Sequence, residues 1–235
     1  MKVSKRIKAV NKNIDKAKDY TVEEAIKLLK DNSKVKFTES LDCAIRLGVD
    51  PRHADQMVRG TVSLPHGTGK KVTVLVIAKG AQAEEALKAG AEYAGFEEYL
   101  EKIKGGWAEV DVIVATPDSM GELGKLGRVL GPKGLMPNPK SGTVTSDVAK
   151  AVKEVKAGKI EFRVEKAGII HTSLGKMNFS VEQLTENTRA FLHTIIKMRP
   201  SSAKGNYVKS LYLSTTMGPG LRITKDETTI ATKHD

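Results

Sequence analysis

The sequence predicts an α/β protein of two domains, in which an inserted Rossmann-like α/β domain interrupts a discontinuous α+β sandwich domain with an antiparallel sheet. Segments that alternate apolar and polar residues lie near both ends of the chain. Continuous apolar segments that alternate with helices fill the middle, and glycine-containing crossings separate the two patterns. The predicted boundaries are residues 1–67 with 159–235 for the discontinuous domain and 68–158 for the insertion.

The first region begins with a basic helix or arm over residues 4–18. A capping box of Thr21 with Glu24 then predicts the start of an amphipathic helix. Residues 37–49 alternate, with Leu41, Cys43, Ile45, Leu47 and Val49 on one face, which predicts a half-buried strand, and residues 58–64 suggest another.

The alternating pattern of the first region returns after the insertion. Residues 160–164 alternate, and residues 168–171 are a short strand candidate. Ser180 with Gln183 caps a long amphipathic helix that Pro200 stops. Further strands are predicted over residues 208–216 and, as an edge, 221–223.

The insertion has a different pattern. Residues 72–78 and 110–115 are continuous apolar runs, which are typical of strands buried on both faces. Helices predicted over residues 83–89, 97–104 and 147–156 alternate with them, so a mainly parallel sheet is expected. We expect Gly67, Gly69 and Gly158 to act as a two-stranded hinge at the crossings.

The charge of the chain indicates a polyanionic partner. Its 39 Lys and Arg against 28 Asp and Glu give a net charge of +11. Neutralising phosphates releases condensed counterions, so nucleic acid is the commonest reason for such an excess, although a merely soluble basic protein is an alternative. No apolar segment is long enough for a signal peptide or a membrane span, which predicts a soluble, cytoplasmic protein that does not bind membranes.

Motifs for catalysis, cofactors and metals are not recognisable. The segment Gly67–Lys71 lacks the spacing and the following hydroxyl residue of a phosphate-binding loop, and no dinucleotide fingerprint follows a strand. The five histidines show no metal-ligand spacing. Cys43 alternates with apolar neighbours, so a core position is expected. We therefore expect no enzyme, no cofactor and no metal.

Two loops contain candidate contacts to RNA. Residues 127–140 combine glycine, proline and cations with Leu130, Leu135 and Met136, so a packed loop and a phosphate-contacting loop are both consistent with them. Residues 214–220 combine small hydroxyls with glycines that suit backbone and 2′-hydroxyl contacts, and Met217 suits packing on a base or ribose. An edge-strand hydroxyl that faces water is the alternative for Thr216. Because the aromatic content is only 5%, structured RNA read by shape is favoured over stacked single strands.

Long segments of the sequence resemble the universal L-one family of large-subunit ribosomal proteins. They are residues 50–52, 58–69, 130–140 and 215–219, and the similarity covers essentially the whole chain. Ser40 stands where the family has threonine, which keeps the hydroxyl, and Met57 stands where asparagine is expected, which puts a polar contact there in doubt.

The resemblance implies a ribosome-associated RNA-binding protein of the mobile stalk near the tRNA exit site. It implies binding to large-subunit ribosomal RNA, help in releasing exit-site tRNA, and repression of the messenger RNA of its own operon. A monomer is expected outside the ribosome. A repressor that is not built into ribosomes and an α/β nucleotide-dependent enzyme are the alternatives. The main RNA surface implied by position comprises Lys36, Phe37, Ser40, His171, Ser173, Lys176, Thr215, Thr216, Met217 and Gly218, with Arg128, Lys133 and Lys140 as secondary contacts.

Overall fold

The chain is a mixed α/β protein with both antiparallel and parallel sheets. A computed structural model describes residues 5–12, 14–15, 17–224 and 227. The chain forms two compact units, of which unit 1 comprises residues 1–70 with 161–235 and unit 2 comprises residues 71–160. The predicted boundaries lie two or three residues from these, and the independent folding of each part stays a prediction.

Unit 1 combines helices with an antiparallel sheet of four strands and a second sheet of two strands. Its helices are α1 (Lys5–Lys12), α2 (Val22–Asn32) and α8 (Val181–Lys197). Its strands are β1 (Ser40–Leu47), β2 (Arg59–Ser63), β7 (Ile169–Lys176), β8 (Val208–Thr215) and β9 (Gly220–Arg222), together with β6 (Lys159–Arg163), whose first two residues are assigned to unit 2. Four of the strands form an antiparallel sheet in the order β7-β1-β8-β9. The strands β2 and β6 form a separate sheet of two.

Both predicted capping boxes are present. The Thr21 hydroxyl accepts from the backbone N–H of Glu24, whose carboxylate accepts from the Thr21 N–H, and Ser180 with Gln183 makes the same pair of bonds. These bonds satisfy backbone donors that a helix start leaves without partners. The two helices therefore begin where the sequence predicted, and α8 ends at Lys197, three residues before Pro200.

One face of the four-stranded sheet is buried and the other is open. Leu41, Cys43 and Ile45 are at most 1% exposed, and the residues between them are partly exposed. Helix α8 packs against β7, and α2 packs against β8, so both helices lie on the sheet. Burial raises the pKa of the Cys43 thiol far above its ordinary value, which fits the predicted core position.

Three predicted elements differ from the structure. The first strand begins at Ser40 rather than near Phe37, and the strand predicted over residues 168–171 extends to Lys176. It extends because β1 offers pairing partners along its whole length. The basic arm forms helix only over Lys5–Lys12, while residues 4, 13 and 16 of that prediction lie outside the described residues.

Unit 2 alternates strands with helices. Its elements are β3 (Val74–Ile77), α3 (Ala81–Lys88), β4 (Tyr93–Gly95), α4 (Glu97–Lys104), β5 (Val112–Ala115), α5 (Met120–Lys125), α6 (Gly127–Leu130) and α7 (Val148–Lys156). The strands form a parallel sheet in the order β4-β3-β5. Val74 and Val76 of β3 belong to one apolar cluster, and Leu75 and Ile77 belong to another. The continuous apolar run is thus buried on both faces, as predicted.

The glycines predicted to form the hinge all have positive φ, with values of 66° at Gly67, 69° at Gly69 and 102° at Gly158. The first two are attached to unit 1. The Asn187 side chain donates to the Gly67 carbonyl at 2.9 Å, and a Cβ at Gly69 would lie 2.9 Å from the Phe179 ring. A hinge at the first crossing would therefore lie after Gly69, and the hinge itself stays a prediction.

Candidate nucleic-acid interface

Three strand ends meet at one end of the four-stranded sheet in unit 1. In the ladders, Ser40 lies opposite Lys176 and Leu41 lies opposite Thr215. The start of β1, the end of β7 and the turn after β8 are therefore neighbours. We call Ser40, Lys176, Thr216 and Met217 the sheet-end surface.

Hydrogen bonds connect the polar members of the sheet-end surface. The Lys176 ammonium donates to the Ser40 hydroxyl at 2.8 Å, and the Ser40 backbone N–H donates to Thr216 Oγ1 at 3.0 Å. Thr216 is exposed and its oxygen accepts this bond, so its hydroxyl faces solvent while the residue is tied to the start of β1, and its contact with RNA stays a prediction. The hydroxyl still has its own proton to donate to a ligand.

The turn after β8 presents Met217. Its side chain is 48% exposed, whereas its backbone N–H donates to Glu39 Oε1 at 2.7 Å and its carbonyl accepts from Arg6 at 2.8 Å. A Cβ on Gly218 would collide with Thr215 Oγ1, so this position requires glycine. The fixed backbone holds an apolar side chain toward solvent, which suits packing on a ribose or base.

Glu39 is a functional candidate that the sequence prediction missed. Its residue exposure is only 1%, and its carboxylate accepts from the Met217 N–H and from the Ser33 hydroxyl. Its carbonyl also accepts from the Met177 N–H at 2.9 Å. Glu39 lies two positions before Leu41, so it belongs to the alternating set of residues that β1 buries. This position within the alternation is the sequence signal that identifies it.

Lys36 and Phe37 lie in a bend before β1 and not at the start of the strand, where the sequence predicts them. The reason is that β7 ends at Lys176, opposite Ser40, so the residues before Ser40 have no strand to pair with. Both side chains are exposed, and Phe37 is 53% exposed. An exposed ring and an exposed ammonium beside the same strand start remain available to a ligand.

His171 and Ser173 lie farther along the open face, on β7. In the ladder His171 lies opposite Ala44, and Ser173 lies opposite Asp42. A shallow cavity is lined by these residues. Burial raises the pKa of Asp42, while a hydrogen bond from Ser173 and the charge of Lys176 lower it in part. Asp42 is the one carboxylate among the residues that line this cavity.

Thr215 is the predicted site residue that the structure does not place on the surface. It is 4% exposed because the alternation of β8 directs it to the buried face. The Gly218 N–H donates to its carbonyl at 3.1 Å. Thr215 therefore supports the turn, and a direct contact of its side chain with RNA is not supported.

The loop of residues 127–140 lies in unit 2 and combines both predicted interpretations. Leu130 is fully buried, and Leu135 and Met136 pack on the same apolar cluster. The secondary candidates Arg128, Lys133 and Lys140 are exposed. The loop is therefore packed through its apolar residues and cationic at its surface.

The net charge is concentrated in unit 1. Its sequence has 26 Lys and Arg against 16 Asp and Glu, a net of +10, while unit 2 has 13 against 12, a net of +1. The electrostatic attraction for a polyanion therefore comes from unit 1.

A cleft in unit 1 that the sequence prediction missed is lined by Arg52, Met57, Arg163, Glu165 and Lys166, among others. Met57, where a polar contact was in doubt, lies in this cleft.

Two further properties of the described residues bear on other functions. No helix among them is long and apolar enough to cross a membrane. Within the same residues, no group of three or more His, Cys, Asp or Glu side chains is arranged to hold a metal ion.

Known proteins are similar to this chain over most of its length. The sequence profile of the Ribosomal protein L1p/L10e family matches residues 29–219. Three similar proteins carry the name Large ribosomal subunit protein uL1. The one from Chlorobium phaeobacteroides is 59% identical over 213 residues, which cover 91% of this chain and 93% of the relative. The one from Phocaeicola vulgatus is 59% identical over 222 residues, or 94% and 96% of the two chains. The one from Protochlamydia amoebophila is 56% identical over 230 residues, or 98% of each.

Proposed function

We propose, since the chain belongs to the Ribosomal protein L1p/L10e family, that it is a structural protein of the large ribosomal subunit and binds ribosomal RNA through unit 1. The observation that carries the proposal is the sheet-end surface, where hydrogen-bond donors and an exposed methionine stand on a rigid backbone. The +10 charge of the same unit supports it, because phosphate neutralisation supplies much of the affinity for RNA. The protein would be cytoplasmic, as part of the ribosome.

The contacts suit folded RNA rather than an extended single strand. Lys36 and Lys176 would contact phosphates, and the Thr216 proton would be donated to a base edge or a 2′-hydroxyl. Met217 and Phe37 would pack on ribose or base surfaces. Ser40, Ser173, His171 and Gly218 would complete the surface. Such contacts read the wide, shallow minor groove and its 2′-hydroxyls by shape.

The stalk function near the tRNA exit site rests on a second cationic surface. Arg52, Arg163 and Lys166 line a cleft near the start of β7, whereas the sheet-end surface lies at the end of that strand. These cations would contact the phosphates of exit-site tRNA. Bound to ribosomal RNA by one surface, the protein would have the cleft free for tRNA and would assist its release. Movement at the crossings after Gly69 and at Gly158 belongs to this proposal, as does the secondary contact of Arg128, Lys133 and Lys140 with RNA.

Repression of its own messenger RNA would use the sheet-end surface a second time. A surface that reads RNA by shape accepts any transcript that reproduces the shape, so messenger and ribosomal RNA would compete for it. The proposal also includes a discontinuous domain with a Rossmann-like insertion, with boundaries at 67/68 and 158/159, and a monomer outside the ribosome.

Sedimentation of cell extracts tests the proposal. The tagged chain should travel with the large subunit in stoichiometric amount, and a Thr216→Val, Met217→Ala double variant should move to the top of the gradient. An Arg52→Ser, Arg163→Ser variant should stay with the subunit but weaken tRNA crosslinking to it. Absence of the wild-type chain from large subunits would contradict the ribosomal proposal and favour a repressor that acts outside ribosomes.

A further inference from the structure

Unit 2 carries a cluster of aromatic side chains on and around strand β4 and helix α4. Tyr93, Tyr99 and Trp107 have ring centroids 5.5–6.0 Å apart. Tyr93 is 37% exposed, and Tyr99 and Trp107 are half-buried. With Phe96, they make four of the chain's 11 aromatic residues within fifteen positions, so the rings are concentrated here.

The cluster already holds a cation of the chain itself. The Lys102 ammonium lies 4.7 Å from the Tyr99 ring centroid and donates to Glu98 Oε1 at 2.6 Å. The hydrogen bond with Glu98 raises the pKa of Lys102, and the nearby phenol groups of Tyr99 and Tyr93 add to it. A ring face with a carboxylate beside it thus stabilises a positive charge at this position.

The sequence around the cluster is acidic, in contrast to the rest of the chain. Residues 84–122, which contain most of α3 together with β4, α4, β5 and the start of α5, have ten Asp and Glu against three Lys. Residues 123–160 have two Asp and Glu against eight Lys and Arg. The exposed acids of α4 include Glu97, Glu98 and Glu101. The α4 carboxylates repel phosphates beside Tyr99, while the Lys79 ammonium, 4.4 Å from the Phe96 ring centroid, is a second cation of the chain at this cluster.

We propose that the face formed by Tyr93, Glu98, Tyr99 and Trp107 binds an arginine-rich segment of a partner protein. Guanidinium groups stack on aromatic faces and pair with carboxylates, and the face offers both groups side by side. In the unbound protein Lys102 occupies the place of the partner's cation over the Tyr99 ring. It must move away from that ring when the partner binds. β4 is also an edge strand of its sheet among the described residues, which suits an extended segment. The inference does not depend on the RNA-binding function of unit 1.

The full chain offers a built-in reporter, because Trp107 is its single tryptophan. A short peptide of alternating arginine and serine would be titrated into the protein while Trp107 emission is recorded. A peptide with glutamine in place of arginine is the control. Because the protein is strongly cationic as a whole, a cationic peptide is repelled except where local carboxylates attract it. We expect a saturable change in emission with the arginine peptide only.

Two matched variants separate the site from general electrostatics. Lys102→Met should tighten peptide binding by about threefold or more, because the competing ammonium is removed from the ring. Lys104→Met removes the same charge from the same helix, but Lys104 lies over no ring in the described part of the chain, so its effect should be smaller. In the Lys102→Met background, Glu98→Gln should weaken binding about threefold, whereas Asp31→Asn in unit 1 should not.

The outcomes decide the proposal. Equal effects of Lys102→Met and Lys104→Met would overturn it, because binding would then follow net charge alone. An unchanged Trp107 emission would also overturn it, as would quenching of Trp107 by oligouridylate but not by the peptide. Circular dichroism of each variant, with spectra equal to wild type, establishes that a loss of binding does not come from unfolding.

Discussion

The buried Glu39 carboxylate holds the backbone of the Met217 turn, so its removal should affect both folding and RNA binding. In Glu39→Leu the Met217 N–H and the Ser33 hydroxyl lose their acceptor. A hydrogen bond to a charged group contributes about 1.5–3 kcal/mol, and Ser33 has the freedom to turn toward water. We expect the free energy of unfolding to fall by about 2–4 kcal/mol. RNA affinity should fall by about five- to thirtyfold, because the turn loses its fixed position.

Glu39→Gln is the matched control. The glutamine oxygen accepts from the Met217 N–H, and its amide donates to the Ser33 oxygen, so the turn is kept without the charge. Urea unfolding followed by circular dichroism measures stability, and fluorescence anisotropy with a labelled ribosomal RNA fragment measures affinity. Wild-type RNA affinity in Glu39→Leu, despite lower stability, would refute the positioning role. A glutamine variant as impaired as the leucine variant would show that the charge matters and not the acceptor.

Three further predictions concern the same interface. Thr216→Val should lower RNA affinity by about 1–3 kcal/mol while Thr216→Ser keeps it, and equal affinity of both variants in anisotropy titrations would remove the hydroxyl from the site. The slope of log K against log salt concentration should be about −0.7 to −0.9 for each phosphate that the protein neutralises. Lys36→Ala should reduce the magnitude of that slope by up to about one. A slope near zero for the wild type would exclude a polyanionic ligand. Residues 1–67 joined to 159–235 by a short linker should fold and keep most of the affinity, whereas a folded product that binds several hundredfold more weakly would place the main site in unit 2.

Local patterns predicted most elements because tertiary contacts agree with them. Alternation placed Leu41, Cys43 and Ile45 on one face, and the sheet does bury that face. The capping boxes at Thr21 and Ser180 located two helix starts, since a cap is a local hydrogen-bond arrangement. The continuous apolar run in β3 predicted burial on both faces correctly.

The errors arise where partners distant in sequence decide the structure. The start of β1 depends on where β7 ends. Because side chains alternate between the two faces of β8, Thr215 lies on the buried face and not on the open one. Glu39 was not singled out from the sequence, and its partners Ser33 and Met217 come together with it only in the folded chain. The cleft around Arg163 combines residues more than a hundred positions apart, so no local motif indicated it.

Site-specific photocrosslinking tests the central claim most directly. A photoreactive phenylalanine analogue would replace Phe37 in unit 1 or Leu87 in unit 2, which are 53% and 49% exposed. After irradiation of living cells, the RNA attached to the protein is sequenced. The account predicts that position 37 captures one short segment of large-subunit ribosomal RNA far more efficiently than position 87 does. Equal capture at both positions, or capture at 37 without a preferred segment of that RNA, would contradict it.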